Sequence, residues 1–314
     1  MKAKTLLTAC LFMLGVGANA ANDGKAILHH DKKPAAIYDA DQLSEALIAA
    51  TAGDTIYLSA GTFPTFTLDK AITIKGAGDN TKISNGVTID IPGNPTLSSA
   101  LLEAVEVNGT ITVKSDMTNF LIKMVKTTDL QFANQLNTNA LVDRCYLDKF
   151  TITSAMTDFY VRNSYIWNLT STSLKFNKCN FINCRILGDW NKAAGRFINC
   201  ELSQIGNDYL TIKSSILSYT LVYSYFIGVD ASTYMDYNKD PYYDNSHYYN
   251  NLAWLSVDDR LNKGYISKDG TVVGVEGGKT PYTLMPSGPK ETSSTMKVSD
   301  SEKKLNVSIT VSPK

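Results

Sequence analysis

Aromatic and charged side chains recur at matching places in neighbouring stretches of this chain: Tyr146 and Asp148 in LVDRCYLDKF, Tyr165 and Trp167 in YVRNSYIWNL. Arg162 and Lys178 fall at the bends beside them, and Glu201 follows further along. Flat aromatic faces supply contact area at low entropy cost and an arginine forks onto a carboxylate, so this set reads as a platform for an elongated sugar chain. Tyrosine and tryptophan are also ordinary strand formers, and cross-strand packing alone is the competing reading.

Three other groups carry chemistry less well. Asp236, Asp240, Asp244 and Asn245 are oxygen donors of the kind calcium takes, but their spacing is not that of an EF-hand and Pro241 forces an irregular loop. No cofactor is expected, and calcium is the one cation in view. His29-His30, followed by Lys32 and Lys33, reads as linker rather than as a catalytic pair. Beyond the first 20 residues the cysteines are Cys145, Cys179, Cys184 and Cys200. An even number would invite disulfides if the chain is exported.

Their positions are set by a repeat. The segments LIKMVKTTDL, LVDRCYLDKF, YVRNSYIWNL, KFNKCNFINC, RFINCELSQI and TIKSSILSYT start at Leu121, Leu141, Tyr160, Lys175, Arg196 and Thr211 and superimpose without gaps. The second position is Ile122, Val142, Val161, Phe176, Phe197 or Ile212, always large and apolar. The fifth is Val125, Cys145, Ser164, Cys179, Cys200 or Ser215, always compact. Apolar positions two or three apart follow strand-and-turn spacing, not helical spacing. Units this short cannot bury an apolar face alone, but stacked units share one interior, which describes a parallel β-helix. Each column then becomes a file of side chains about 4.8 Å apart. In that arrangement the fifth column is a thiol and hydroxyl ladder, or holds one disulfide between neighbouring rungs such as Cys179 and Cys200. Asn163, Asn199, Asn168 and Asn183 are expected at tight bends, where asparagine tolerates left-handed backbone. The sixth and eighth positions point outward, which puts Tyr146, Asp148, Tyr165 and Trp167 on one face.

The ends differ from the middle. Leu43, Ala46, Leu47 and Ala50 recur at helical spacing, with Asp39 or Asp41 as N-cap and Gly53 past the end. A helix there would cap the open first coil. Beyond Asp230 comes a tyrosine-rich stretch, then a glycine-rich segment at 270–288 and a hairpin from Thr295 to Val311 around Asp300-Ser301. Residues 1–20 carry Lys2, Lys4, an apolar run and Ala18-Asn19-Ala20, the pattern of an export signal, with a lipobox at Cys10 as the alternative. Without that leader 28 basic residues face 30 acidic ones, which argues against general nucleic-acid binding, and no later segment is apolar over a membrane-spanning length.

The helix followed by AGDTIYLSAGTF and AITIKGAG resembles the opening of right-handed parallel β-helix proteins of the pectate-lyase-like superfamily. It is also similar to polysaccharide lyases of the alginate and chondroitin type and to secreted β-helix proteins of Bacteroidota. GGKTPYTLMPSGP and the terminal strand pair resemble the ending of the last group, and the resemblance spans residues 36–314. It implies the right-handed coil. For a lyase it would further imply a Lys or Arg base that removes the proton alpha to a uronate carboxylate, beside positive charge for the enolate. Arg162 and Lys178 are the candidates for that base. No WIDH, RxPxxR, NTDG, GDD or GHG string occurs, so the lyase and hydrolase patterns are absent.

The expectation is an all-β, right-handed parallel β-helix. Residues 1–20 are signal peptide, 21–36 linker, 37–230 the coil, 231–280 a Tyr-rich terminal coil with a Gly-rich loop, and 281–314 a tail with a strand pair. The expected role is an exported, non-catalytic protein, periplasmic, surface-held or extracellular, that binds a polysaccharide or cell-surface glycan. The alternatives are a divergent polysaccharide lyase and a structural or adhesive solenoid.

Overall fold

The computed structural model describes residues 24–31, 33–93, 96, 101–133, 139–153, 158–171, 179–186, 195–203, 219–222, 225–227, 247–249, 255–267, 269–282, 290–299 and 304–312. Within them the chain is a parallel β-solenoid. The Leu121, Leu141 and Tyr160 units stack in the expected register: Leu121 pairs with Leu141 and Leu141 with Tyr160. Ile122, Val142 and Val161 follow as the next file inward, each fully buried. Phe120, Phe132, Phe150 and Phe159 fill the centre, with Phe132 edge-on to Phe120 at 5.4 Å and to Phe159 at 5.3 Å. Burying each such ring contributes about 1.5–3 kcal/mol.

Two later units differ from the expected register. Asn180, not Lys175, pairs with Tyr160, and Thr220, not Thr211, pairs with Arg196. The second column therefore continues through Phe181, Phe197 and Leu221 rather than Phe176 and Ile212. An inward position asks only for an apolar side chain, and several frames of this sequence supply one. The bend sets the frame. The fourth residue of each unit is left-handed, with φ of 55° at Ala104, 54° at Met124, 53° at Arg144, 47° at Asn163, 52° at Asn183 and 55° at Asn199. Asparagine adopts this conformation at lower cost than most residues, as expected for Asn163, Asn183 and Asn199.

The compact column after the bend is accordingly Cys145, Ser164, Cys184 and Cys200, with Cys184 in the place expected for Cys179. Cys179 pairs with Phe159, five residues earlier in its unit. Ser215 lies outside the described residues. Each member of the column donates back to the carbonyl two residues before it: Cys145 to Asp143 at 3.5 Å, Ser164 to Arg162 at 2.7 Å, Cys184 to Ile182 at 3.4 Å and Cys200 to Ile198 at 3.3 Å. Ser164 Oγ also accepts the Cys145 N–H of the preceding rung at 3.0 Å. The four cysteines among the described residues are buried free thiols, so no Cys179–Cys200 disulfide forms. Burial pushes the Cys145 thiol up to about 12 and raises Cys179, and burial together with the adjacent Cys184 raises Cys200.

On the outside, charges alternate in sign from rung to rung. Glu103 lies between Lys75 at 3.4 Å and Lys123 at 3.1 Å, and Glu106 between Lys82 at 3.8 Å and Lys126 at 2.8 Å. Exposed pairs of this kind contribute little singly. Like charges set opposite each other would be destabilising, so the alternation favours this register over a slipped one.

The first coil is closed as expected by a short helix, Leu43–Ala49, after a single 3-10 turn at Ala40–Gln42. Leu43, Ala46 and Leu47 face the core, and the Asp39 N–H donates to Gln42 Oε1 at 3.1 Å. Lys70 Nζ donates to the Leu47, Ile48 and Ala50 carbonyls at 2.9–3.0 Å, satisfying the groups a helix end leaves open. Part of the expected linker is instead strand: Lys25–His29 lies antiparallel between Ala36–Asp39 and Thr55–Leu58. Its apolar residues Ala26, Ile27 and Leu28 are buried, which a linker would not be. His30 Nδ1 sits 2.7 Å from Asp54 Oδ2.

At the other end Lys290–Ser299 and Lys304–Ser312 form the antiparallel hairpin, longer than expected at both ends. Asp300 and Ser301 lie outside the described residues. Of the tyrosine-rich stretch, His247–Tyr249 adds a parallel strand beside Tyr225–Ile227. Among the described residues no helix is long and apolar enough to cross a membrane.

Candidate functional site

The sixth column runs Lys82, Glu106, Lys126, Tyr146, Tyr165, Arg185, Glu201 up one outer face. The first three members interlock by charge, the middle two are aromatic, and the last two belong to an ionic cluster. Strand alternation points this column outward while Leu147 and Ile166, the next residues of two rungs, point inward and are fully buried.

The aromatic zone is where the sequence placed it. Tyr146 and Tyr165 lie on adjacent rungs with ring centroids 5.9 Å apart and planes tilted by 34°. Trp167, 44% exposed, lies 6.5 Å from Tyr146, and its Nε1 donates to the Tyr146 hydroxyl at 2.5 Å. Asp148 is exposed one rung from Trp167, and Asn168 Nδ2 donates to the Asp148 carbonyl at 3.3 Å. Lys126, below Tyr146, is held by Glu106; that hydrogen bond raises its pKa, with burial opposing and the Asp148 charge adding to the rise.

Sequence reasoning missed what closes the far end of this face. Residues 255–267 and 269–282 return as a strap. A helix at Val257–Asn262 starts at Ser256, whose Oγ accepts the Asp259 N–H at 3.1 Å. Arg260 on this helix is 1% exposed and reaches Glu201, which is completely buried. Arg185 pairs with the same Glu201. Glu276 completes the square, 2.9 Å from Arg260 and 3.4 Å from Arg185. Arg260 NH1 also donates to the Val273 carbonyl at 2.5 Å. Burial lowers the Arg260 pKa and Glu276 opposes that shift. Two cations and two anions compensate one another, as buried charges must.

The strap also uses the bend asparagines. Asn163 Nδ2 donates to the Gly277 carbonyl at 2.9 Å and the Val275 carbonyl at 3.3 Å, and the Gly274 N–H donates to the Asn199 carbonyl at 2.8 Å. Gly274 has φ of +111°, and a Cβ there would run into the Glu201 carboxylate, so a side chain at this position would exclude the strap. Tyr282 then packs edge-on to Tyr165 at 4.8 Å, leaving Tyr146 and Trp167 as the open part of the aromatic zone. Burial raises the hydroxyl pKa of both Tyr165 and Tyr282. The signals for the strap were present: Arg260 is one of five arginines, and Ser-Val-Asp-Asp before it is a helix start.

Of the residues singled out from the sequence, Tyr146, Asp148, Tyr165 and Trp167 come together. Glu201 does not join them at the surface, because the strap buries it. Arg162 lies against Asp143, with Nε 3.8 Å from Oδ1, while Arg144 Nε donates to the other oxygen of the same carboxylate at 3.1 Å. Lys178, Asp236, Asp240, Asp244 and Asn245 lie outside the described residues. In comparisons with known proteins, no family model, curated relative or solved structure matches the chain.

Proposed function

We propose that this chain is an exported, non-catalytic glycan-binding solenoid of the pectate-lyase-like lineage, and that Tyr146 and Trp167 form its binding face, with Tyr165 packed beside them under Tyr282. Export rests on the leader at residues 1–20, and lineage on the resemblance of the N-terminal helix and first coils. The observation that carries the binding reading is the hydrogen bond from Trp167 to Tyr146. It fixes the exposed indole against the half-buried phenol of the neighbouring rung, so little side-chain freedom is left for a ligand to quench.

A lyase would need an uncommitted base beside a cluster of positive charge. Among the described residues, Arg162 lies 3.8 Å from Asp143, and Arg185 and Arg260 are engaged by Glu201 and Glu276. These pairings favour binding without turnover. A glycan array probed with the native protein and with Trp167→Ala tests the reading: binding to a restricted set of glycans, lost in the variant, supports it, and unchanged binding removes the platform. Incubation with alginate, pectate and chondroitin should produce no ultraviolet absorbance from an unsaturated product.

A further inference from the structure

Charge at the rim of the aromatic zone bears on which glycan fits. Among the described residues, each arginine or lysine that borders the zone lies against a carboxylate of the protein itself: Lys126 against Glu106 at 2.8 Å, Lys149 against Asp129 at 3.8 Å, Arg162 against Asp143 at 3.8 Å, and Arg185 against Glu201 and Glu276. A uronate-rich chain laid here would compete with these carboxylates for each cation, and displacement from buried Glu201 would strand a charge. What the rim offers instead is an acceptor. Among the described residues the exposed Asp148 carboxylate has no hydrogen-bond or ion-pair partner, and it stands at the place on its rung that matches Trp167 on the next.

An apolar ring face beside an exposed carboxylate suits one class of ligand. The indole packs against the C–H face of a pyranose, and the carboxylate accepts hydrogen bonds from the hydroxyls at its edge, each of them charge-assisted. The same carboxylate repels an acidic sugar. We infer that the face recognises a neutral, hydroxyl-rich pyranose chain, with Trp167 and Tyr146 as the stacking surface and Asp148 as the hydroxyl acceptor, and that it rejects polyuronates. This deepens the glycan-binding reading and rests on it.

The test is calorimetric titration of the purified protein with neutral cello- and manno-oligosaccharides and with oligogalacturonates and alginate oligomers, at low and high salt. The expected result is binding to at least one neutral series, insensitive to salt, and none to the uronates. Asp148→Asn should weaken the neutral interaction about tenfold or more, the loss of a hydrogen bond to a charged acceptor. Binding of uronates that Trp167→Ala abolishes would overturn the neutral assignment and leave the platform standing. Binding to neither series would overturn both. An Asp148→Asn variant with undiminished affinity for the neutral series would remove Asp148 from the site.

Discussion

Trp167 and Tyr146, 21 residues apart in sequence, are joined by a hydrogen bond from the indole N–H to the phenol oxygen at 2.5 Å on the outer face of adjacent rungs. The bond lies outside the core, and the scaffold beneath is held by Leu147, Ile166 and the phenylalanine stack. Its consequence falls on the orientation of the rings rather than on folding. Tyr146→Phe should leave the thermal midpoint nearly unchanged and cost about 0.5–1.5 kcal/mol in glycan affinity, the worth of one neutral hydrogen bond. Calorimetry alongside thermal melts checks both halves.

Ser164 is the one hydroxyl among the described members of the compact column. Its hydroxyl gives a hydrogen bond to the Arg162 carbonyl and takes one from the Cys145 N–H. Ser164→Ala should destabilise by about 1–3 kcal/mol, because a buried N–H loses its acceptor. Cys145→Ser and Cys200→Ser should cost less, since a hydroxyl replaces a thiol as donor to the same carbonyl. Urea denaturation of the three variants measures the order.

Arg260 compensates a carboxylate with no access to water. Arg260→Ala should cost about 3–5 kcal/mol in strap stability by leaving Glu201 buried with one cation instead of two. The loss should be local, so hydrogen exchange should quicken across 255–282 and stay slow in the strands from Leu102 to Phe132. Arg260→Ala with unaltered exchange in the strap would contradict the assignment of that cluster as its anchor.

Asp54 gives the N-terminal cap a pH dependence. Burial pulls its pKa up, but the Thr51 N–H, the Thr51 hydroxyl and His30 together hold it below the usual value of 3.8. A carboxyl depressed by folding adds stability above its unfolded pKa and loses it as pH falls through the folded value. The protein should therefore lose cap stability as pH drops below 3.8, and Asp54→Asn should flatten that part of the curve. Thermal melts between pH 2 and 6 compare the two.

Fold and first rungs were legible because inward files need only apolar periodicity, and Leu121, Leu141 and Tyr160 keep nearly equal spacing. Register failed at the fourth unit, where Phe176 and Phe181 both satisfy the apolar test. The decisive signal was the left-handed bend: Phe181-Ile182-Asn183-Cys184 repeats as Phe197-Ile198-Asn199-Cys200, and an asparagine before a cysteine fixes the frame where hydrophobicity does not. The aromatic face survived that error because Tyr146, Tyr165 and Trp167 lie in units whose register was right. Glu201 was misjudged for a different reason. Its outward position is local, but its burial depends on Arg260, 59 residues away in sequence, and no pattern within a rung foretells a strap.

The most direct test of the account follows the indole itself. The chain has three tryptophans, and replacing Trp190 and Trp254 with Phe leaves Trp167 as the sole indole reporter. Titration with a neutral oligosaccharide that the protein binds should shift and saturate its fluorescence, with the same midpoint as the heat of binding. A calorimetric binding curve accompanied by no change in Trp167 emission would place the ligand elsewhere on the solenoid and contradict the account.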